Sequence, residues 1–359
     1  MTNRATPCDP WFIEHLVCPI DRRRVQLEGE SLVCAEAHRY PIVDGVPVML
    51  PGGQAPTMAG TEHSLRRAHG QSVDQRRPDL YLESLGISDD EKSGVVDLAE
   101  RGGPIDPVVA YLVAATNGLM YRHLIGTLDR YPIPTIPLPA GEGRLMLDVG
   151  CSWGRWSLAA HMQGYRVVGL DPSLGAVMAA RRVARQAGAP NRYVVGDARC
   201  LPLASELFDV VYSYSVVQHF SRSDATAAAG EMGRVLKPGG VAKVQMATRY
   251  GVRCLYHQAR RGFRDGRGFE VRYWSLSELA RLFGAAIGET RCEPDGFFGI
   301  GLQASDEALM TPRLRRALRA SEMLKAASRR FPALTRVADS VFVTAAKAAS
   351  TPGGTVGSL

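Results

Sequence analysis

The chain reads as an α/β protein built on a doubly wound, mostly parallel seven-stranded sheet, preceded by a small β ribbon. Three observations predict this. From residue 145 onward short apolar runs alternate with helical patterns as repeated βα units. The first run, Leu145 to Val149, passes through Gly150-Cys151-Ser152-Trp153-Gly154 straight into a helix, the strand, tight turn, helix arrangement that brings backbone N–H groups close to a ligand. The first fifty residues hold two short hairpins instead, each with a cysteine at a strand end.

Composition bounds the function. A chain of 359 residues accommodates one large domain and a smaller one. No charged-then-apolar leader and no apolar run near 18 residues is present in the sequence, so neither secretion nor membrane spanning is expected. Seven scattered cysteines, an odd number, fit a reducing cytoplasm better than a disulfide framework. A net charge of +7 admits nucleic acid, anionic lipid or phosphorylated substrates and selects none of them.

Residues 1 to 50 form the first unit. Cys18 is followed by Asp21 and Cys34 by His38, which offers four ligands of the kind a closed zinc site uses, although carboxylate oxygen is a poorer structural ligand for zinc than thiolate. Residues 51 to 104 read as a linker or lid, because 51 to 80 are rich in Gly, Pro, Gln and Arg and show no apolar period. From Pro107 to Leu128 apolar residues recur at helical spacing, and the Pro-rich stretch from Tyr131 to Pro139 ends that pattern.

The core follows. After the glycine turn, Ser157 to Met162 is the first helix, and Tyr165 to Asp171 is the second strand. Asp171 ends it about twenty residues past the turn, where an acid can accept both hydroxyls of a ribose. Pro172 and Ser173 then open the helix Leu174 to Gln186, with Ser173 as N-cap. Arg192 to Gly196 is the third strand and leads into Asp197-Ala198, and Phe208 to Ser215 is the fourth. Ala225 to Leu236 is a helix stopped by Lys237-Pro238-Gly239-Gly240, and Val241 to Met246 is the fifth strand. Two late strands, within 290 to 302 and at 340 to 347, suggest a closing antiparallel hairpin, and the tail 348 to 359 is small and polar enough to be disordered.

The turn excludes two nucleotide motifs. A dinucleotide fingerprint starting at Gly150 needs glycine at 152 and 155, where this chain has Ser152 and Arg155, and a G-x-x-x-x-G-K-[ST] phosphate loop is absent. Asp148-Val149-Gly150-Cys151-Ser152-Trp153-Gly154 instead resembles the D-x-G-x-G-x-G motif of class I S-adenosylmethionine-dependent methyltransferases, with Ser152 in place of the middle glycine. Asp171, the Gly196-Asp197-Ala198-x-x-Leu201-Pro202 segment and the Phe208 to His219 segment follow in that family's order and spacing, the last resembling the group that includes quinone-methylating enzymes. The resemblance spans residues 105 to 347, with substrate insertions at 248 to 272 and 303 to 339.

It implies the following roles. Asp148 lies near the amino acid end of the cofactor, Gly150, Cys151, Ser152 and Gly154 surround it, Asp171 with Pro172 and Ser173 takes the ribose, and Asp197 and Ala198 take the adenine. Ser213, Tyr214 and Gln218 line the methionine moiety, Tyr121 and Arg122 close over the cofactor from the preceding helices, and His219 is the candidate general base. Beyond the fifth strand, Arg249, Tyr250, His257, Arg260 and Arg261 are substrate candidates for phosphate or carboxylate.

The ending Tyr40-Pro41-Ile42-x-Asp44-Gly45-x-Pro47-x-Met49-Leu50 resembles zinc ribbons that partner or precede methyltransferases, though those carry C-x-x-C twice and this chain has Asp21 and Ala37 at the second and fourth positions. A C-x-x-C…C-x-x-x-H arrangement also precedes the catalytic domain of bacterial ribosomal-RNA guanine methyltransferases. The expected activity is methyl transfer from S-adenosylmethionine to a hydroxyl or amine of a small molecule, a metabolite or sugar, with phosphorylated and nucleotide-linked acceptors among the candidates. The alternatives are RNA base methylation and a non-catalytic cofactor-binding activator. Pro312 to Arg336, with eight basic residues against one Glu, also admits peripheral contact with an anionic membrane.

Overall fold

In the computed structural model, which describes residues 7–52, 59–71, 73–116, 118–299, 301 and 303–349, the N-terminal unit opens with helix α1 (Pro10–His15). Strands β1 (Val25–Glu28), β2 (Ser31–Cys34), β3 (Arg39–Val43) and β4 (Val46–Pro47) then pair antiparallel in chain order, as the hairpin signals predict. Residues 350–359, expected as a disordered tail, lie outside the described residues.

Helices α2 (Ala59–Ala68), α3 (Asp89–Arg101) and α4 (Pro107–Thr116) follow. The stretch expected as a linker or lid therefore contains two helices. The reason it carries no apolar period is local: the buried face of α2 is made of Gly60, Thr61 and Ser64 rather than large apolar residues. Ser88 and Glu91 cap α3 reciprocally in a capping box.

The main sheet comprises β5 (Leu145–Val149), β6 (Arg166–Asp171), β7 (Arg192–Val195), β8 (Phe208–Tyr214), β9 (Leu236–Ala247), β10 (Gly288–Gly296) and β11 (Ser340–Lys347). Between them run α5 (Arg155–Met162), α6 (Leu174–Gln186), α7 (Arg222–Val235), α8 (Val252–Arg260), α9 (Leu276–Ala286) and α10 (Pro312–Ser328). The strand order is β10-β11-β9-β8-β5-β6-β7, parallel from β9 to β7, with β11 antiparallel to both neighbours. This is the seven-stranded doubly wound sheet that the βα repeat predicts. The order reverses beside β5, which places a crevice at the carboxyl ends of β5 and β8, the position where such sheets bind ligands.

Lys237-Pro238-Gly239-Gly240, expected as a stop before the fifth strand, falls inside β9. There the pairing jumps from Phe208 opposite Leu236 to Val210 opposite Val241, so the extra residues are absorbed as an irregularity of the ladder.

The ribbon does not stand apart from the sheet. Val48 pairs in parallel with Val195, the Met49 N–H donates to the Val195 carbonyl at 2.8 Å, and Leu16 pairs with Leu203. Arg192 on β7 donates to Asp9 at 2.7 Å, and Phe12, Leu16, Leu32 and Met49 share one core with Val168, Val194, Leu201 and Leu203. The ribbon thus covers the outer edge of β7, an edge whose open N–H and C=O groups would otherwise template association.

Residues 59–85 fasten the start of α6 in the same manner. Ser64 Oγ accepts from the Leu174 N–H at 2.9 Å and lies 2.8 Å from the Pro172 carbonyl, while Ser84 Oγ accepts from the Gly175 N–H at 2.7 Å. Ser64→Ala leaves the buried Leu174 N–H without its side-chain acceptor, so the urea midpoint should fall by an equivalent of about 1–3 kcal/mol at unchanged slope. An unchanged midpoint would show that Ser64 contributes nothing to holding α6.

Candidate active site

The glycine turn carries left-handed backbone at every second residue, 150, 152 and 154. Gly150 and Gly154 sit at φ 76° and 82°, and a Cβ on either would stand 2.2 Å from Val216 Cγ2 or 2.8 Å from the Tyr193 hydroxyl. Ser152, the residue at the family's middle glycine, also has positive φ, 47°. Its N–H donates to Asp171 Oδ2 at 2.9 Å, and the Ser173 N–H donates to Asp171 Oδ1 at 2.9 Å. The carboxylate at the end of β6 therefore ties the turn to the start of α6. Cys151 is buried beneath the turn, its thiol pushed well above the ordinary value by desolvation.

Three carboxylates line one rim. Asp148 on β5 pairs in register with Gly169, Asp171 ends β6 opposite Val195, and Asp197 lies just past β7. All three are at least nine-tenths buried. Asp148 accepts from Ser157 Oγ at 2.6 Å, and burial, with the nearby Asp171 charge, raises its carboxyl to about 7. Burial likewise raises Asp171 to about 6. Asp197 is clasped by Arg199, whose guanidinium donates to both its oxygens and reaches on to Asp224. Ala198 is buried beside it.

At the end of β8 the expected residues diverge. Ser213 is buried and donates to the Val149 carbonyl at 3.0 Å. Tyr214 turns to the opposite face, packs 4.5 Å from the Trp156 ring and accepts from Gln303 at 2.7 Å beside Asp295. Gln218 is consumed as a brace, accepting from the Ala247 N–H at 2.9 Å and donating to Ser215 at 2.7 Å.

His219 ends the short 3₁₀ turn Val217–His219 that follows β8. Its Nδ1 lies 2.7 Å from the Phe269 carbonyl, so Nδ1 carries the proton and Nε2 keeps a lone pair. The ring stacks on Phe269 at 4.1 Å, and burial holds its pKa below the ordinary imidazole value.

The preceding segment contributes a buried cluster. Tyr121 donates to Asp306, Arg155 at the start of α5 pairs with the same carboxylate, and the Arg155 guanidinium sits 5.6 Å from the Tyr121 ring centroid. Tyr121 is thus held in a buried cluster by Asp306, while Arg122 is exposed. Sequence reasoning missed Arg155 and Asp306. The available signal was an arginine opening a helix whose next turn, apart from Ser157, is apolar: Trp156, Leu158, Ala159 and Ala160. Breaking one partner of so buried a pair typically costs about 3–5 kcal/mol.

Past β9 the arginines are largely engaged. Arg249 donates to Glu278 at 3.1 Å, and Arg261 donates to the Val271 carbonyl and lies over the Tyr273 ring. Tyr250, His257 and Arg260 are exposed.

In the ribbon the four expected metal ligands do converge. Cys18 Sγ, an Asp21 oxygen, Cys34 Sγ and a His38 ring nitrogen all lie within 4.8 Å of one another. Both sulfurs approach His38 Nδ1, at 3.4 Å and 3.3 Å, and Cys34 lies 3.3 Å from Asp21 Oδ2. Two thiols, an imidazole and a carboxylate form a donor set that suits zinc.

Parts of the chain are similar to known proteins. Residues 146–240 match the family model described as a methyltransferase domain. A malonyl-[acyl-carrier protein] O-methyltransferase of Serratia marcescens is 39% identical over 99 residues, 28% of this chain and 36% of that protein. A ubiquinone biosynthesis O-methyltransferase of Rhizobium rhizogenes is 33% identical over 127 residues, 35% of this chain and 49% of the relative. The chain spans about a third to a half of the length of these curated relatives. A solved structure from Thermotoga maritima, described as an S-adenosylmethionine-dependent methyltransferase and possible histamine N-methyltransferase, covers 59% of this chain and 84% of its own at 19% identity and a TM-score of 0.39. The matched stretch, residues 146–240, holds the glycine turn and all three rim aspartates.

Proposed function

We propose that the chain transfers a methyl group from S-adenosylmethionine to an oxygen of a small molecule. One observation carries the reading: Asp148, Asp171 and Asp197 stand at the carboxyl ends of three adjacent parallel strands, beside a turn of left-handed backbone at the point where strand order reverses. The relatives' description as O-methyltransferases supports an oxygen acceptor. When bound, the cofactor supplies an electrophilic methyl on a sulfonium. In this reading Asp171 accepts from the ribose hydroxyls, Asp197 and the Ala198 backbone hold the adenine, and Asp148 faces the amino acid end. His219 takes the acceptor's proton at Nε2, in the tautomer fixed by the Phe269 carbonyl.

The titrations give a test with a definite sign. Asp148 and Asp171, at about 7 and about 6, lie above the ~3.9 of an aspartate in an unfolded chain. The ligand-free fold then binds more protons than the unfolded chain between about pH 4 and 7, and its stability declines as pH rises through that window. Ionisation of the two carboxyls against a cationic ligand releases protons. Calorimetric binding enthalpies near pH 6.5 should therefore differ between phosphate and imidazole by an amount that scales with buffer ionisation. Absence of any uptake of S-adenosylmethionine would end the reading.

His219→Ala should lower turnover about 10²-fold or more at unchanged cofactor affinity. The pH profile of the native enzyme should lose activity on the acid side with an apparent pKa below ~6.5. Equal turnover in the variant would remove His219 from the chemistry.

Cys18, Asp21, Cys34 and His38 fit one zinc ion, which would bind the ribbon's two hairpins together. Elemental analysis should return about one zinc per chain, lost in Cys34→Ser. A metal-free chain with an unchanged melting temperature in chelator would leave the ribbon held by its apolar core alone.

A further inference from the structure

Helix α8 follows the last parallel strand and lies against the protein by one face only. Cys254 is buried, and the Asp339 carboxylate accepts from the Arg253 and Cys254 N–H groups at the helix start. The outward stripe, positions 252, 255, 256 and 259 at i, i+3, i+4 and i+7, is Val252, Leu255, Tyr256 and Ala259. This inverts the usual arrangement, in which the solvent face of a surface helix is polar. Tyr256 is 56% exposed, and Phe263, in the turn that follows the helix, is 67% exposed.

The flanks of that stripe are cationic. Residues 249–272 hold seven arginines against two acids, Asp265 and Glu270. Glu270 is already held by Arg264 and Arg261, whereas neither Arg253 nor Arg260 pairs with a carboxylate among the described residues. The Arg260 guanidinium lies 5.8 Å from the Tyr256 ring centroid, and an exposed apolar stripe flanked by arginines that no carboxylate of the described residues holds marks an interaction site. Aliphatic Val252 and Leu255 on the stripe disfavour nucleic acid, whose bases stack on aromatic faces. A second copy would bring like-charged arginines together across a two-fold axis.

We propose that α8 and the loop after it form a docking surface for an anionic phospholipid membrane, with Val252, Leu255, Tyr256 and Phe263 entering the headgroup–acyl boundary and Arg253 and Arg260 meeting lipid phosphates. Amphipathic helices bind interfaces through this combination of buried apolar area and attraction to anionic lipid. The surface adjoins the candidate site, since Phe269 of the same loop stacks on His219 and Arg272 donates to the His219 carbonyl at 2.5 Å. The docking does not rest on the methyl-transfer reading.

The full chain, sedimented with vesicles of phosphatidylglycerol and phosphatidylcholine, should pellet well above its level with phosphatidylcholine alone. Arg253→Glu should weaken that binding about tenfold, and Leu255→Ser/Tyr256→Ser at least as much. In Tyr256→Trp, emission should shift to the blue on adding anionic vesicles. An unchanged urea midpoint in each variant reports that the fold is intact and, needing no cofactor, keeps failure here separate from failure of the proposed activity. Pelleting no greater than with neutral vesicles, binding unchanged in both weakened variants, or self-association abolished by Leu255→Ser/Tyr256→Ser would each overturn the proposal.

Discussion

The Asp171 carboxylate is the joint on which the domain turns. It is buried, and it accepts one hydrogen bond from the Ser152 N–H and another from the Ser173 N–H, so a single group fixes both the glycine turn and the first turn of α6. Ser152 holds a positive φ that L-residues avoid at roughly 1–2 kcal/mol, and the charge-assisted bond to Asp171 offsets that strain. Removing the carboxylate would free two backbone donors and relax the turn whose closeness to Val216 and Tyr193 requires glycine on either side.

Every rim acid is already satisfied by a donor from the chain itself: Asp148 by Ser157, Asp171 by two backbone amides and Asp197 by Arg199. Ligand binding at such a rim exchanges one set of hydrogen bonds for another. That arrangement keeps the three acids buried with their oxygens satisfied, and for Asp148 and Asp171, which have no cation beside them, burial raises the carboxyl pKa. The Arg199 fork is the contact such an exchange would alter most, because it occupies both oxygens of Asp197.

The sheet was legible in the sequence because strands buried on both faces read as continuous apolar runs, and α6 because Ser173 caps it. The ribbon's ligand cluster was legible because hairpin pairing brings Cys18, Asp21, Cys34 and His38 together whatever the fine geometry. Helix α2 was not, since small and hydroxylated residues make its buried face. The Arg155–Asp306 pair was not, since its partner arrives from the insertion between β10 and β11. Ser213 and Tyr214 illustrate a constraint available in advance: neighbours on a strand point to opposite faces, so both could not line one ligand.

The ribbon's seat on the edge of β7 has a consequence for how the chain is made. Translation proceeds from the N-terminus at about 5–20 residues per second. Phe12, Leu16 and Met49 therefore emerge long before Val195 and Leu203, the residues they finally cover. For an interval on the order of ten seconds or more the nascent ribbon presents naked apolar surface to the cell. The ribbon's apolar face therefore finds its final cover only once the third parallel strand has been made.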